Sequence, residues 1–167
     1  MKKRIKKINL KRKLRNIQVI NRCKRLKYQI RKVSSLFHFL DLNICSDKIP
    51  DGELSIAFIE SEEIKHLHLK YFNDSNTTDV ITFQGDNAMD FAGEICVCID
   101  VAQETAFEHG NLLAEEITLY LIHGWLHLVG YDDKSEGDRR SMRNAEKRIL
   151  STVIKAKTIP SFILHSD

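Results

Sequence analysis

The 167-residue sequence has little proline or glycine and no long uninterrupted apolar run. Only two prolines and seven glycines occur among 43% apolar residues, which excludes a collagen-like or low-complexity chain. The longest apolar stretch, from Leu119 to Val129, contains two histidines and is too short to cross a membrane. The length therefore fits a single domain that has a hydrophobic core of its own.

Cysteine is also scarce, since the four cysteines include no Cys-x-x-Cys pair. Cys96 and Cys98 lie two residues apart in an apolar segment, so in a strand they would share one face. We predict that they pack there as small apolar side chains and take no part in metal or redox chemistry. This cysteine usage suits the reducing cytoplasm.

Acidic residues are missing from the first 32 positions. Residues 1–32 hold 15 of the 26 lysines and arginines, so the rest of the chain has 11 bases against 23 acids, a net charge of −12. Basic residues interrupt every apolar stretch of this segment, which argues against a signal peptide. We interpret residues 1–16 as a basic arm for a polyanion, chiefly nucleic acid, and residues 17–167 as a single domain. The alternative for the arm is a solvated tail that only aids solubility.

Local patterns predict an alternation of strands and helices. Strands are expected at 17–20, 54–59, 80–83 and 95–99, where β-branched and aromatic residues gather. Helices are expected from residue 26 to about 40, at 61–72, 100–109 and 112–129, and after a capping box at Ser135 and Asp138. In the helix at 112–129, a single apolar stripe is expected to face the core. This order predicts an α+β domain, with a small mixed sheet of about four strands layered with helices.

The segment from His123 to Asp133, His-Gly-Trp-Leu-His-Leu-Val-Gly-Tyr-Asp-Asp, has the strongest functional pattern. Residues i and i+4 share one face of a helix, so His123 and His127 can offer two imidazoles to one metal ion. Gly130 can adopt the left-handed conformation that ends a helix, and the returning chain brings Asp133 within reach as a third ligand. Three protein ligands and an open position are typical of a catalytic metal site. The alternatives are a histidine pair satisfied by backbone or water, and Asp132 as the third ligand.

The same segment resembles the signature of the YbeY family of bacterial endoribonucleases, which reads His-Gly-x-Leu-His-Leu-x-Gly-Tyr-Asp-His. Met142 and Glu146 match the Met-x-x-x-Glu helix of that family, and residues 78–83 and 93–95 are similar to two of its strands. The resemblance implies one zinc ion held by His123, His127 and Asp133. It also implies ribosomal RNA maturation as the function, with single-stranded ribosomal RNA and the ribosome or its small subunit as partners.

Two positions depart from the family pattern. Asp133 replaces a histidine ligand, which lowers the charge of the site by one and makes a harder metal such as Mn²⁺ more acceptable. Phe72 stands where the family has a functionally important arginine, and a phenyl ring cannot hold a phosphate. We therefore expect that Lys70 or a residue of the basic arm binds the phosphate instead, or that the activity is weak. By resemblance alone, Thr82 and Asp79 are expected to line the substrate groove.

The remaining residues near the signature separate the candidate functions. Trp125 and Tyr131 flank the ligands, where they would either stack on an unpaired base or form walls of the pocket. His109 is expected to be structural at a helix end, with proton transfer as its alternative. Gly124 stands where metalloproteases of the His-Glu-x-x-His kind have their catalytic glutamate, which argues against a peptidase. We predict a metal-dependent endoribonuclease with no side chain assigned as general base; the alternative is a ribosome-assembly or RNA-binding factor with little catalysis.

Overall fold

The structure is a computed structural model, and it describes residues 14–44 and 48–165. The strands are β1 (Ile17–Asn21), β2 (Leu26–Tyr28), β3 (Glu53–Ile59), β4 (Val80–Asp86), β5 (Phe91–Cys98) and β6 (Phe162–Leu164). The helices are α1 (Ile30–Asn43), α2 (Ser61–Phe72), α3 (Ile99–His109), α4 (Leu113–Leu128) and α5 (Glu136–Lys155), with a 3₁₀ turn at Asn87–Met89. Within the described ranges no helix is long and apolar enough to span a bilayer. Residues 1–13, which make up most of the predicted basic arm, lie outside the described residues.

Four strands form one mixed sheet in the order β1-β3-β5-β4. The pairs β1–β3 and β3–β5 are parallel, whereas β4 runs antiparallel to β5 at the edge. The short strands β2 and β6 form a separate antiparallel ribbon. This architecture confirms the predicted α+β class and the expected sheet of about four strands.

The two faces of the sheet have different helical partners because the side chains of β3 alternate in direction. Ile56 and Phe58 belong to the main core, which also contains the buried faces of α1, α4 and α5. Ala57 and Ile59 belong to a smaller cluster on the opposite face, closed by Ile64 of α2. The central strand is therefore buried on both faces.

Helix α4 lies at the centre of the molecule, between the sheet and the helices α3 and α5. The prediction of a single core-facing stripe is wrong, because the consecutive residues Tyr120, Leu121 and Ile122 are 6%, 0% and 0% exposed. Successive residues of a helix point in different directions, so the buried surface extends around much of α4. A helix that packs on several sides is apolar on most of its surface. Gly124 permits the close approach to the sheet, since a Cβ at this position would lie 2.5 Å from Cγ2 of Ile95.

The segment that begins at Leu26 differs from its prediction. Helical spacing of apolar residues predicted a helix from this point, but Leu26–Tyr28 is a strand and the helix begins at Ile30. The strand forms because it pairs with β6, which lies more than 130 residues further along the chain. The ring of Tyr28 packs against Phe58 at 5.0 Å and Phe162 at 6.1 Å between centroids. The local pattern of apolar residues cannot reveal a pairing with a strand so distant in sequence.

Candidate metal centre

Helix α4 ends in a turn that directs the chain back toward its own last residues. Gly130 has φ +93°, a conformation that strongly favours glycine. Its N–H donates to the carbonyl of His127 at 3.0 Å, and the N–H of Tyr131 donates to the carbonyl of Leu126 at 3.0 Å. This pair of bonds is the Schellman motif, which satisfies carbonyls at the end of the helix. The predicted role of Gly130 in ending the helix is confirmed.

The returning chain brings Asp133 to the two histidines. The Nε2 atoms of His123 and His127 are 2.9 Å apart. Oδ2 of Asp133 lies 3.8 Å from Nε2 of His123 and 3.7 Å from Nε2 of His127. Asp132 points elsewhere, since its carboxylate accepts the N–H of Asp133 at 2.8 Å and lies 3.7 Å from Nζ of Lys134. Of the two neighbouring aspartates, the geometry favours Asp133 as the third ligand.

The other ring nitrogen of each histidine already has a partner. Nδ1 of His123 is 2.5 Å from Oε1 of Glu146, and Nδ1 of His127 is 3.1 Å from the carbonyl of Tyr131. Both partners are acceptors, which favours a proton on each Nδ1 and leaves each Nε2 as the atom that can coordinate a metal ion. Metal-binding histidines in proteins are commonly oriented by such acceptors. The two Nε2 atoms therefore converge on one point beside the Asp133 carboxylate.

The acidic surroundings favour positive charge at this point. Burial alone would lower the pKa of His123, but the hydrogen bond and charge of Glu146, with the charges of Asp79 and Asp133, raise that pKa above its ordinary value. The N–H of Asp133 is the main cause that lowers the pKa of Asp132. A site that stabilises an imidazolium without a metal provides compensating charge for a bound cation.

The donor set fits a divalent transition metal. Zn²⁺ is commonly bound by imidazole nitrogens and carboxylate oxygens, and ligands of a tetrahedral zinc lie about 3.3 Å apart. The separations of 2.9, 3.7 and 3.8 Å bracket this value. The side chain of Asp133 is 45% exposed, so the group opens to solvent on one side. Three protein donors with an open side could hold the ion in the manner of a catalytic centre.

A cleft of about 240 Å³ lies next to the three donors. Its apolar walls come from Leu119, Tyr120 and Met142, which extend from α4 and α5. Its polar lining is formed by four side chains in addition to His123 and Asp133, namely Asp79, Arg139, Arg143 and Glu146. Asp79 was expected at the substrate groove, and it does lie in this cleft.

Other residues that we expected at the site lie outside the lining of the cleft. Thr82 lies beneath α4, with its hydroxyl 3.5 Å from the carbonyl of Gly124. Nζ of Lys70 lies 5.0 Å from the ring centroid of Tyr71, at the end of α2. Phe72, the position of the family arginine, is 53% exposed on the same helix. The structure thus places neither Thr82 nor Lys70 against the cleft beside the metal centre.

Trp125 requires a correction. Its side chain is 0% exposed, and its Nε1 lies 3.4 Å from Oδ1 of Asp41, which also pairs with Arg15 at 3.0 Å. The indole points away from the histidines because a step of two residues turns it to another side of the helix. Base stacking on Trp125 is therefore excluded in this structure, and the residue serves the core.

Sequence analysis did not identify the two arginines of the cleft. Arg139, Arg143 and Glu146 lie at spacings of four and three along α5, so they share one face of that helix. The capping box at Ser135, confirmed by the structure, fixed the start of α5 and hence its helical phase. Glu146 was the second sequence feature that could have identified the arginines. It matches the family's Met-x-x-x-Glu helix, so residues on the same face of α5 as Glu146 are expected to point toward the metal centre.

The fold and the three converging donors define a class of protein: an α+β domain with a candidate metal centre at the end of its buried central helix. Within that class, the chain belongs to the endoribonuclease YbeY family, since the family model described as Endoribonuclease YbeY matches residues 10–154. This match confirms the resemblance of the signature segment.

Individual relatives agree with this assignment. An Endoribonuclease YbeY from Protochlamydia amoebophila is 44% identical over 107 residues, which cover 62% of this chain and 71% of that protein. The Endoribonuclease YbeY of Staphylococcus carnosus is 37% identical over 109 residues, covering 60% and 71%. The solution structure of TM1509 from Thermotoga maritima aligns with a TM-score of 0.54 at 25% identity, covering 85% of this chain and 94% of that one.

Proposed function

We propose that this chain is a metal-dependent, single-strand-specific endoribonuclease that acts in ribosomal RNA maturation and ribosome quality control. The observation that carries the proposal is the convergence of His123, His127 and Asp133 beside an open cleft that contains two arginines. Relatives named Endoribonuclease YbeY support RNA cleavage as the reaction.

His123, His127 and Asp133 would hold the ion. We propose Zn²⁺, one per chain, with another divalent metal acceptable because one donor is a carboxylate. When bound, it would polarise a phosphoryl oxygen and lower the pKa of a water molecule, which supplies a nucleophile near neutral pH.

The surrounding residues keep the donors in place. Glu146 holds the ring of His123, and the carbonyl of Tyr131 holds the ring of His127. Arg139 secures the third donor, since its Nη1 donates to the carbonyls of Asp133 at 3.1 Å and Lys134 at 2.7 Å. These contacts fix the donors before substrate binds, which reduces the reorganisation needed during the reaction.

The proposed ribosomal RNA partner is supported by the charge of the sequence, and the proposed cytoplasmic location by its cysteines. The excess of basic residues at 1–32 suits a polyanionic partner, for which we propose ribosomal RNA on the ribosome or its small subunit. Cys23, Cys96 and Cys98 are buried free thiols, which suits the cytoplasm.

A second candidate is an RNA-binding or ribosome-assembly factor with little catalysis. It is favoured by Phe72, which exposes a phenyl ring where the family resemblance leads us to expect an arginine. A peptidase is disfavoured because Gly124 is packed against the sheet, where a larger side chain would collide with Ile95. Position 124 therefore cannot offer a catalytic glutamate to the cleft.

The test compares metal-free and metal-restored protein on RNA. Protein stripped by a chelator should not cleave a single-stranded RNA oligonucleotide, and one equivalent of Zn²⁺ or Mn²⁺ should restore cleavage, whereas a duplex of the same sequence should resist it. His123→Ala is the control for contaminating nuclease. RNA binding without cleavage in the restored protein would support the second candidate, and equal cleavage by the stripped protein would refute metal dependence.

A further inference from the structure

The two arginines of the cleft differ in what they contact. The guanidinium of Arg139 is bound to two backbone carbonyls of the loop that carries Asp133. Arg143 lies one helical turn further along α5 and lines the same cleft. Within residues 14–44 and 48–165, its guanidinium has no hydrogen bond or ion pair. Arg143 is thus a cation beside the metal centre whose donors are available to a ligand.

We propose that Arg143 binds a phosphate group of the RNA next to the metal centre, an inference that rests on the proposed function. A guanidinium offers several N–H donors in a planar fork that matches the oxygens of a phosphate. Arg143 precedes Glu146 by three residues on the helix, and Glu146 contacts His123. The fork is therefore within one helical turn of the residue that orients a metal ligand.

Glu146 forms no ion pair with Arg143. Its Oε1 is engaged by His123 at 2.5 Å, and its side chain is only 15% exposed. Asp133 faces both histidines, at 3.8 and 3.7 Å from their Nε2 atoms. Oδ1 of Asp79 accepts the N–H of Val80 at 2.8 Å and the hydroxyl of Thr78 at 3.1 Å. None of these three carboxylates forms an ion pair with Arg143 within residues 14–44 and 48–165, so a phosphate would meet little competition for the Arg143 donors.

The charge of the lining gives the same assignment. Asp79, Asp133 and Glu146 contribute three negative charges, and Arg139 and Arg143 contribute two positive charges. With His123 neutral, as a metal ligand must be, the lining is net negative before a divalent ion is counted and net positive after it. Loss of Arg143 would leave the metal-loaded lining neutral. Phosphate binding should accordingly require both the metal and Arg143, and Lys70, which lies outside this lining, should contribute little.

The experiment uses the full chain loaded with Zn²⁺ and inorganic phosphate as the probe. Phosphate affinity is measured from the concentration dependence of thermal stabilisation in the wild type, Arg143→Met, Arg143→Lys and the control Arg148→Met. Arg148 is exposed on the same helix and is absent from the cleft lining. Metal content is measured for every variant, so that altered zinc binding is recognised.

Arg143→Met should weaken phosphate binding by roughly tenfold to a hundredfold, as expected for loss of a charged hydrogen-bonding partner. Arg143→Lys should recover part of the affinity because it retains the charge but not the fork. Arg148→Met should match the wild type. Equal phosphate affinity in Arg143→Met and the wild type, at equal zinc content, would overturn the proposal, as would equal losses in Arg143→Met and Arg148→Met.

Cleavage assays separate this inference from the proposed function. In the wild type and Arg143→Met, KM and kcat are measured with a single-stranded RNA oligonucleotide, and KM should rise by about tenfold or more in the variant. If the wild type binds phosphate through Arg143 but cleaves no RNA, the proposed function fails and the anion site stands. If the wild type cleaves RNA and Arg143→Met retains both its KM and its phosphate affinity, the role of Arg143 fails alone.

Discussion

Two recesses formed by the described residues are similar in size: the cleft of about 240 Å³ between α4 and α5, and a groove of about 290 Å³ between α2 and the sheet. In the cleft, three donor atoms converge, and Arg143 has no partner among the described residues. In the groove, Arg22 is paired with Glu63 at 2.7 Å, and Tyr71 packs on Phe83 at 4.9 Å between centroids. The volume of a recess therefore does not identify a functional site. Polar side chains that converge on one point without a partner in the protein do identify one.

The single thiol of the groove illustrates the difference. Burial is the main cause that raises the pKa of Cys96 to about 12, so the thiol is neutral and unreactive near pH 7. In the cleft, by contrast, the acidic neighbours outweigh the effect of burial on His123. Burial thus keeps the Cys96 thiol neutral in the groove, whereas acidic neighbours in the cleft stabilise the charged form of His123 despite its burial.

The largest expected effect is loss of the metal from the cleft. His123→Ala or His127→Ala should weaken zinc binding by more than about a hundredfold, because removal of a ligand should exceed the loss seen for outer-shell partners. Zinc content by atomic absorption and RNA cleavage report the result. His68→Ala, in the helix that borders the groove, is the control and should retain both. Full zinc content in both cleft variants would show that the donors do not bind the metal.

The next effect separates Asp133 from Asp132. Asp133→Ala should sharply weaken metal binding, and Asp132→Ala should leave it nearly intact, because only Asp133 faces both histidines. Asp133→His should keep the metal, raise the site charge by one and shift the pH–activity profile to lower pH, since greater positive charge favours deprotonation of bound water. Zinc titration and pH–rate profiles measure these changes. Metal loss in Asp132→Ala with retention in Asp133→Ala would reverse the ligand assignment.

A smaller effect is expected for Glu146, which orients a ligand without being one. Glu146→Gln should lower metal affinity about tenfold to a hundredfold, the range found for partners of metal-binding histidines. Competition with a chromogenic chelator measures the affinity. The matched control is Glu136→Gln, which removes only an exposed contact to Arg140 on the same helix. Identical affinities in the two variants would contradict a positioning role for Glu146.

The smallest effect belongs to the groove and concerns stability at alkaline pH. The pKa of Cys96 is raised in the folded protein, so the neutral thiol contributes stability that is present below pH 9 and lost as the pH rises toward 12. Cys96→Ala should therefore show a shallower loss of stability above pH 9, with cleavage unchanged at neutral pH. Urea unfolding at pH 8 and at about pH 10.5 tests this. An unchanged slope would indicate that the thiol already titrates near its ordinary value in the folded state.

Local features were the predictable part of this molecule. The spacing of His123 and His127, the turn at Gly130 and the return to Asp133 all lie within eleven residues, where helical geometry fixes relative positions. The signature also identified the family. The sheet class followed from the order of strands and helices, which local patterns express directly.

Features that depend on distant parts of the chain were missed. Leu26 lies in a strand because β6 pairs with it, and Trp125 is buried because Asp41 and α1 cover it. Arg143 reaches the cleft only because α5 packs against α4. Such contacts have no local periodicity, so a single sequence gives no direct sign of them.

The central claim is that one divalent metal ion binds between two imidazoles and one carboxylate at the end of α4. Anomalous diffraction at the zinc edge, from crystals of the full chain grown with one equivalent of Zn²⁺, tests it most directly. We predict a single strong peak per chain, bonded to Nε2 of His123, Nε2 of His127 and the carboxylate of Asp133. A peak that excludes Asp133, or a principal site elsewhere on the chain, would contradict the claim.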